Sequence, residues 1–286
     1  MLEMLEQTSN PEISRKLLEK TIQHAKAFAE KYGHKPAFME VCGSHTMALA
    51  RTGVKKALHE YVNLISGPGC PVCVTDQKSI DAMIELANGD NRIICTFGDM
   101  IRVPGTKRTL MEAKTDGADI RVIYSPTDAV RIAEENPTKE VIFLGVGFET
   151  TIPILGVALK IAHEKQVKNF SMWVTTKLVE PVLRTLLDAG EVKLDGFMLP
   201  GHVSIVLGRK GYQYLVDDYN ISGVITAFEP VELLTGIYQL IDLLLEERVE
   251  IINNYKSAVT ENGNPVTQQI MNTMNGVTKL MRIIKS

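Results

Sequence analysis

After Cys95 this chain of 286 residues contains no cysteine. All four, Cys42, Cys70, Cys73 and Cys95, fall in its first third, a distribution that argues against a disulfide framework and for a localised metal or redox site. Long apolar runs are missing too, and none approaches the roughly 18 to 20 residues that span a membrane. The opening Met1-Leu2-Glu3-Met4-Leu5-Glu6 carries acids where an export leader carries basic residues. The expected location is therefore the cytoplasm, without membrane association. Charge of one sign is also scarce: 31 Lys and Arg face 34 Asp and Glu, a net −3, and the basic residues are scattered. That excludes the electrostatic footprint of a nucleic-acid-binding protein.

What is present is a soluble globular pattern, 45% apolar and 23% charged, with length for about two domains. Apolar runs of strand length alternate with helical periodicity, the signature of βαβ units and parallel sheets. One set of strands is expected at Ala37–Val41, Tyr61–Ile65, Arg92–Phe97 and Asp119–Tyr124, and a second at Val141–Val146, Phe170–Thr175, Gly196–Leu199 and Gly223–Phe228. Helices are expected over Glu12–Lys31, Thr46–Leu58, Asp76–Asn88, Pro126–Glu135, Thr151–Glu164, Glu180–Asp188 and Pro230–Asn253. The fold class that follows is α/β, with two similar parallel-sheet βαβ lobes facing each other across a cleft. The polar, proline-containing Asn136-Pro137-Thr138-Lys139-Glu140 marks the expected lobe boundary. The division is then a helical segment over 1–33, lobe I over 34–136, lobe II over 137–230, and a C-terminal helix with an incomplete tail over 231–286.

In a parallel α/β sheet, ligands gather at the carboxyl ends of the strands, where loops and helix N-termini converge. The unusual residues of this chain fall there repeatedly. The first three strands end in Cys42-Gly43-Ser44-His45-Thr46, Gly67-Pro68-Gly69-Cys70-Pro71-Val72-Cys73 and Gly98-Asp99-Met100. In lobe II the corresponding positions hold Gly147-Phe148-Glu149-Thr150-Thr151, Pro200-Gly201-His202-Val203-Ser204 and Phe228-Glu229-Pro230. Cys42 precedes a helix, whose first amides favour a thiolate, the form that binds metal or attacks electrophiles. His45 is near enough to serve as a second ligand, proton donor or hydrogen-bond partner, although Ser44 and Thr46 also suit plain helix capping.

Cys70 and Cys73 have the C-x-x-C spacing of a reversible disulfide. Zinc is the rival, and it lacks a second ligand pair at the required spacing. Cys95, inside Arg92-Ile93-Ile94-Cys95-Thr96-Phe97, reads as a core cysteine. Gly145-Val146-Gly147-Phe148-Glu149-Thr150 begins like a dinucleotide fingerprint. However, Thr150 occupies the place of its third small residue and no ribose-binding acid follows the next strand, so nicotinamide binding is not indicated. Thr150 and Thr151 ahead of Pro153 also suit helix capping.

Taken in order, the motifs at Cys42–Thr46, Gly67–Cys73, Gly147–Thr151 and Pro200–Ser204 closely resemble the HypD family of hydrogenase maturation proteins, over a stretch from Phe38 to Asn264. The resemblance implies a scaffold on which the iron of [NiFe] hydrogenases, with its cyanide and carbon monoxide ligands, is assembled together with the chaperone HypC. HypE, with HypF, supplies the cyanide. Carried over by motif, Cys42 holds the iron with a thiolate of HypC and His45 supports that site. Cys70 and Cys73 act as a redox dithiol, and Glu149, Thr150 and His202 line the opposite side of the cleft. A soft thiolate suits low-spin iron with strong-field ligands. The family also carries a C-terminal module with a four-iron, four-sulfur cluster, whose ligands are absent here, so a natural short form or a fragment is expected. The apolar residues of the Gly98–Gly105 loop offer a candidate HypC surface, although apolar loop residues more often pack inward, and the sequence does not identify that surface.

Two other functions fit parts of the pattern. A stand-alone thiol-disulfide oxidoreductase would need only Cys70 and Cys73. A two-lobed small-molecule-binding domain would leave the crowded cysteines unexplained.

Overall fold

The computed structural model describes residues 11–277 and 283–285. In chain order the strands are β1 (Ala37–Glu40), β2 (Asn63–Ser66), β3 (Arg92–Thr96), β4 (Ile120–Val122), β5 (Glu140–Gly145), β6 (Phe170–Val174), β7 (Gly196–Pro200), β8 (Ser222–Thr226), β9 (Ile251–Asn253) and β10 (Ile283–Lys285). The helices up to the middle of the chain are α1 (Pro11–Tyr32), α2 (Gly43–Arg51), α3 (Val54–Leu58), α4 (Gln77–Leu86), α5 (Leu110–Thr115), α6 (Pro126–Glu135) and α7 (Ile152–Glu164). Beyond them lie α8 (Val179–Ala189), α9 (Gly201–Leu207), α10 (Gln213–Asp217), α11 (Pro230–Leu245) and α12 (Pro265–Val277). The fold is α/β, as expected, with two sheets whose strand pairs are all parallel.

Two compact units contain these sheets. Unit one comprises the described residues up to Cys70 and Glu180–Pro265; unit two comprises Pro71–Val179 and the described residues after Pro265. Strand order is β2-β1-β7-β8-β9 in unit one and β10-β6-β5-β3-β4 in unit two.

Both faces of each sheet are covered, which is why the strands read as unbroken apolar runs instead of alternating ones. In unit two, Ile93, Cys95, Val141 and Phe143 face Leu155 and Leu159 of α7, while Ile94, Ile142 and Leu144 face Met83 and Ile84 of α4. Burial pushes the Cys95 thiol up to about 12, as fits a core cysteine. In unit one, Phe38 of β1 and Met198 of β7 pack among Phe28 of α1, Leu49 of α2 and Ile237 and Leu240 of α11. Several helix starts match their sequence signals. Asp76 caps α4 by accepting from Ser79 N at 2.9 Å, and Ser125 caps α6 just ahead of Pro126.

Three expectations need correction. The sheets do not divide the chain at Asn136: β1 and β2 pair with strands of the later set, and β3 and β4 with β5 and β6. Strand patterns identify strands but not their partners, which in parallel sheets are remote in sequence. Asn136-Pro137-Thr138-Lys139 is instead a tight turn inside unit two, pinned by Asn169 Nδ2 donating to the carbonyls of Ala133, Asn136 and Lys139. The helix expected over Thr46–Leu58 breaks at Gly53, whose φ of 77° ends α2. The helix expected to reach Asn253 stops at Leu245. There Glu247 takes φ 56° while Glu247 N and Arg248 N bond back to Leu244 O and Leu243 O, a Schellman closure that releases β9. In the tail, Ile270 and Met271 of α12 pack on the unit two core, and β10 pairs with β6. Met100 and Ile101 of the Gly98–Gly105 loop pack inward among the core residues of unit two.

The site end of unit one depends on backbone contact. A Cβ on Gly69 would lie 2.4 Å from Gly43 N and 2.7 Å from Cys42 Cα, and Gly43 N donates to Gly69 O at 3.3 Å. Gly69→Ala is expected to cost about 1 to 3 kcal/mol through forced displacement of main chain. Gly53→Ala, where a Cβ meets nothing within 4 Å, should lose only about 1 kcal/mol to its left-handed backbone. Denaturant unfolding of the two variants checks this, and equal losses would remove the steric argument.

Candidate functional site

Strands β2, β1, β7 and β8 are neighbours in unit one, and each delivers a motif at its carboxyl end. Cys42 follows β1 as the N-cap of α2, with extended φ −144° and ψ 126° and no hydrogen bond from its side chain to the helix amides. Its thiol is half-buried, as is that of Cys70 beyond β2, and none of the four cysteines is in a disulfide. The Gly67-Pro68-Gly69 segment lies directly on the Cys42 turn through the glycine contacts above. The sequence therefore places the two cysteine motifs side by side because neither Gly67 nor Gly69 has a side chain to keep them apart: a Cβ on Gly67 would come within 2.5 Å of Met39 Cγ.

His45, on the first turn of α2, is fully buried. Its Nε2 is 3.1 Å from Thr226 O at the end of β8. A carbonyl only accepts, so Nε2 carries the hydrogen and Nδ1 presents a lone pair. That Nδ1 is buried and has no hydrogen-bond partner. Burial lowers the imidazole from 6.5 to about 4, outweighing the raising influence of the Thr226 and Ala227 carbonyls and of Glu40. Of the roles open to His45 in the sequence, proton donor at neutral pH is thereby removed; ligand or acceptor at Nδ1 remains.

Phe228 sits between two histidines, its ring centroid 5.0 Å from that of His45 and 4.6 Å from that of His202. His202 is exposed at the start of α9. It was expected opposite Cys42 in company with Glu149; instead it belongs to unit one, linked to His45 through Phe228. Ser204 of the same motif has a structural part, its hydroxyl donating to Pro200 O at 2.7 Å.

Glu149 and Thr150 are in unit two, on the loop after β5. Glu149 is buried and its Oε1 accepts from Val179 N, at the head of α8, at 2.7 Å. Thr150 is exposed, and Thr151, though at the N-cap of α7, makes no side-chain cap. Cys73 is also in unit two, exposed on a turn where Thr75 Oγ1 donates to Pro71 O at 2.8 Å. The unit boundary thus falls inside the C-x-x-C motif, between Cys70 and Pro71. Among the described residues, no three His, Cys, Asp or Glu side chains converge as a metal-binding group.

Sequence reasoning passed over Glu40. This carboxylate in β1 is fully buried: Oε2 accepts from the Thr46 hydroxyl, Oε1 lies 3.2 Å from Lys55 Nζ, and Ser66 Oγ approaches Oε2 at 3.5 Å. The signal was available, since an acid inside the apolar run Phe38-Met39-Glu40-Val41 is out of place in a strand buried on both faces. Thr226 was likewise unmarked, because its contribution is a main-chain carbonyl.

No helix among the described residues is long and apolar enough to cross a membrane. The family profile described as "HypD: Hydrogenase formation hypA family" matches residues 16–282. The chain is 42% identical over 231 residues to the hydrogenase maturation factor HypD of Escherichia coli (strain K12), covering 81% of this chain and 62% of that protein. It is 44% identical over 241 residues to HypD of Rhodobacter capsulatus, covering 84% and 63%. To HypD of Cupriavidus necator it is 39% identical over 262 residues, covering 89% and 69%. The chain spans less than two thirds of the length of the first two relatives. With one profile running through nearly all of it and relatives at this identity, the chain belongs to the HypD family of hydrogenase-formation proteins.

Proposed function

We propose that this chain serves hydrogenase maturation as a scaffold that holds iron while its cyanide and carbon monoxide ligands are installed. The observation that carries the reading is the buried, unpartnered Nδ1 of His45, three residues after Cys42 at the N-cap of α2. Iron is the cargo here. Cys42 would bind it as a soft thiolate, and the lone pair of His45 would serve as a further donor or as an acceptor that orients the site. Two such donors leave most of the coordination sphere to the diatomic ligands and to a partner, which fits joint holding with a HypC-like chaperone and cyanide delivery by HypE with HypF.

Cys70 and Cys73 would supply electrons, since closing their disulfide releases two electrons and two protons. His202 would stand at the open side of the site, beyond Phe228; Glu149 and Thr150, which lie in unit two, would take part by the resemblance of their motif to the family's. A four-iron, four-sulfur cluster needs four thiolates, and Cys95 is locked in the core, so this chain's own cysteines do not fit one.

The test is anaerobic purification with the HypC-like partner, followed by iron analysis and infrared spectroscopy in the cyanide and carbonyl stretching region. Wild type should carry iron and show bands; Cys42→Ala should lose the iron; Cys70→Ala should keep iron without bands. Unchanged iron in Cys42→Ala would sink the scaffold reading. Disulfide-reductase turnover that survives Cys42→Ala would favour a stand-alone oxidoreductase using Cys70 and the exposed Cys73.

Neutral His45 has its own signature. Its folded value of about 4 lies below 6.5, so between these the unfolded chain binds a proton that the fold excludes. Stability is therefore undiminished above pH 6.5, falls as pH drops towards 4 by about 3 kcal/mol, and levels off below. His45→Gln, which keeps a donor towards Thr226 O and does not titrate, should flatten that slope in denaturant melts recorded across the range.

A further inference from the structure

Glu40 is the point where the two cysteine motifs meet. Its side chain takes the hydroxyl of Thr46, from the Cys42 motif, on the same oxygen that Ser66 approaches at 3.5 Å immediately before Gly67. Its main-chain oxygen accepts from Gly67 N at 2.9 Å. Lys55, from α3, closes the group at 3.2 Å from Oε1 and 3.5 Å from Ser66 Oγ. One buried residue therefore touches the helix that carries Cys42 and the loop that leads to Cys70.

We infer that Glu40 is a positioning residue for Cys42: its buried carboxylate, through Thr46, Ser66 and Lys55, fixes the start of α2 against the end of β2 and so sets the exposure of the Cys42 thiol. The inference rests on the reading of Cys42 as the working thiol of this unit. It does not require that iron be the cargo.

Two physical arguments favour this over a plain stabilising ion pair. A buried ion pair is a poor source of stability, because well-packed apolar residues of the same volume do as well or better. What a carboxylate offers that a methionine cannot is directional acceptance of donors from separate segments. Here those donors come from α2, from α3 and from the end of β2. The α2 end also needs such a tether. Cys42 provides no side-chain cap, so the first turn of this nine-residue helix is held by the Gly69 carbonyl, the His45 bond to Thr226 and the Thr46 bond to Glu40. Only the last uses a hydroxyl that substitution can remove while leaving the backbone and the charge in place.

The test is site-resolved alkylation. Wild type, Glu40→Gln, Thr46→Val, Thr46→Ser and the Glu40→Gln/Thr46→Val double variant are treated with iodoacetamide at neutral pH, and peptide mass spectrometry gives a rate for each cysteine. Loss of the tether should raise the Cys42 rate about tenfold in Glu40→Gln and in Thr46→Val through local opening of the α2 turn. The double variant should be no faster than either single one, because both remove the same bond. Thr46→Ser, which restores the hydroxyl, should stay within about twofold of wild type.

Cys95 in the core is the internal control. It lies in unit two and reports loss of the whole fold, which would expose it with Cys42, while Thr46→Ser against Thr46→Val controls for the state of unit one. If Glu40→Gln fails to fold, the Thr46→Val and Thr46→Ser pair still decides. An unchanged Cys42 rate in Thr46→Val, or equal rates in Thr46→Val and Thr46→Ser, overturns the proposal. The readout needs no metal, so the expected alkylation pattern in a protein that retains no iron would refute the scaffold reading while supporting the role of Glu40.

Discussion

A parallel sheet covered by helices on both faces has no open surface along its strands, and this constraint governs where chemistry can occur in the molecule. Every side chain from Ile93 to Cys95 or from Val141 to Leu144 is committed to packing. Polar and reactive groups are left with the strand ends, where the backbone turns and helix amides come free. In unit one, four consecutive neighbours in the sheet use that edge for motif residues. Reactive side chains that are far apart in the sequence become adjacent because their strands are adjacent, without any bond between the side chains themselves.

At that edge, main chain does much of the positioning. Gly67 and Gly69 allow one loop to rest on the turn of another, and Thr226 contributes a carbonyl that fixes the orientation and tautomer of His45. The aromatic ring of Phe228 then lies between a buried imidazole and an exposed one. A histidine held neutral in this way keeps its lone pair at physiological pH, a property suited to coordination or hydrogen-bond acceptance and unsuited to acid catalysis.

Much of this was legible in the sequence, and the limits have physical causes. The apolar runs located the strands, and glycine, proline, cysteine and histidine immediately after them located the edge. Pairing was hidden, because nothing in Ala37–Glu40 names Gly196–Pro200 as its partner. The end of α11 was hidden because Glu247 adopts a left-handed conformation that the sequence signals with glycine elsewhere. Glu40 was visible as an acid in an apolar strand, but its partners at Thr46, Lys55 and Ser66 depend on tertiary structure. His202 was assigned to the wrong neighbourhood for the same reason that the lobes were divided at Asn136: sequence order was taken as spatial order.

The chain passes between the units after Cys70, after Val179 and after Pro265, and this route bears on how the protein comes into being. During synthesis β1 and β2 leave the ribosome long before β7, their next neighbour in the sheet, and α1 must wait for α11, whose Leu244 carbonyl receives the Tyr32 hydroxyl at 3.0 Å. Strands β3 to β6, by contrast, emerge in one stretch and can assemble as they appear. In the unit that carries Cys42 the interior of the sheet waits for late strands, whereas in unit two only the edge strand β10 is late, so the early half of unit one carries an unpaired strand edge through most of translation. Assembly of the cysteine edge is coupled to completion of the fold, so a nascent or truncated chain lacking β7 and β8 would display the thiols without the histidine contacts that surround them.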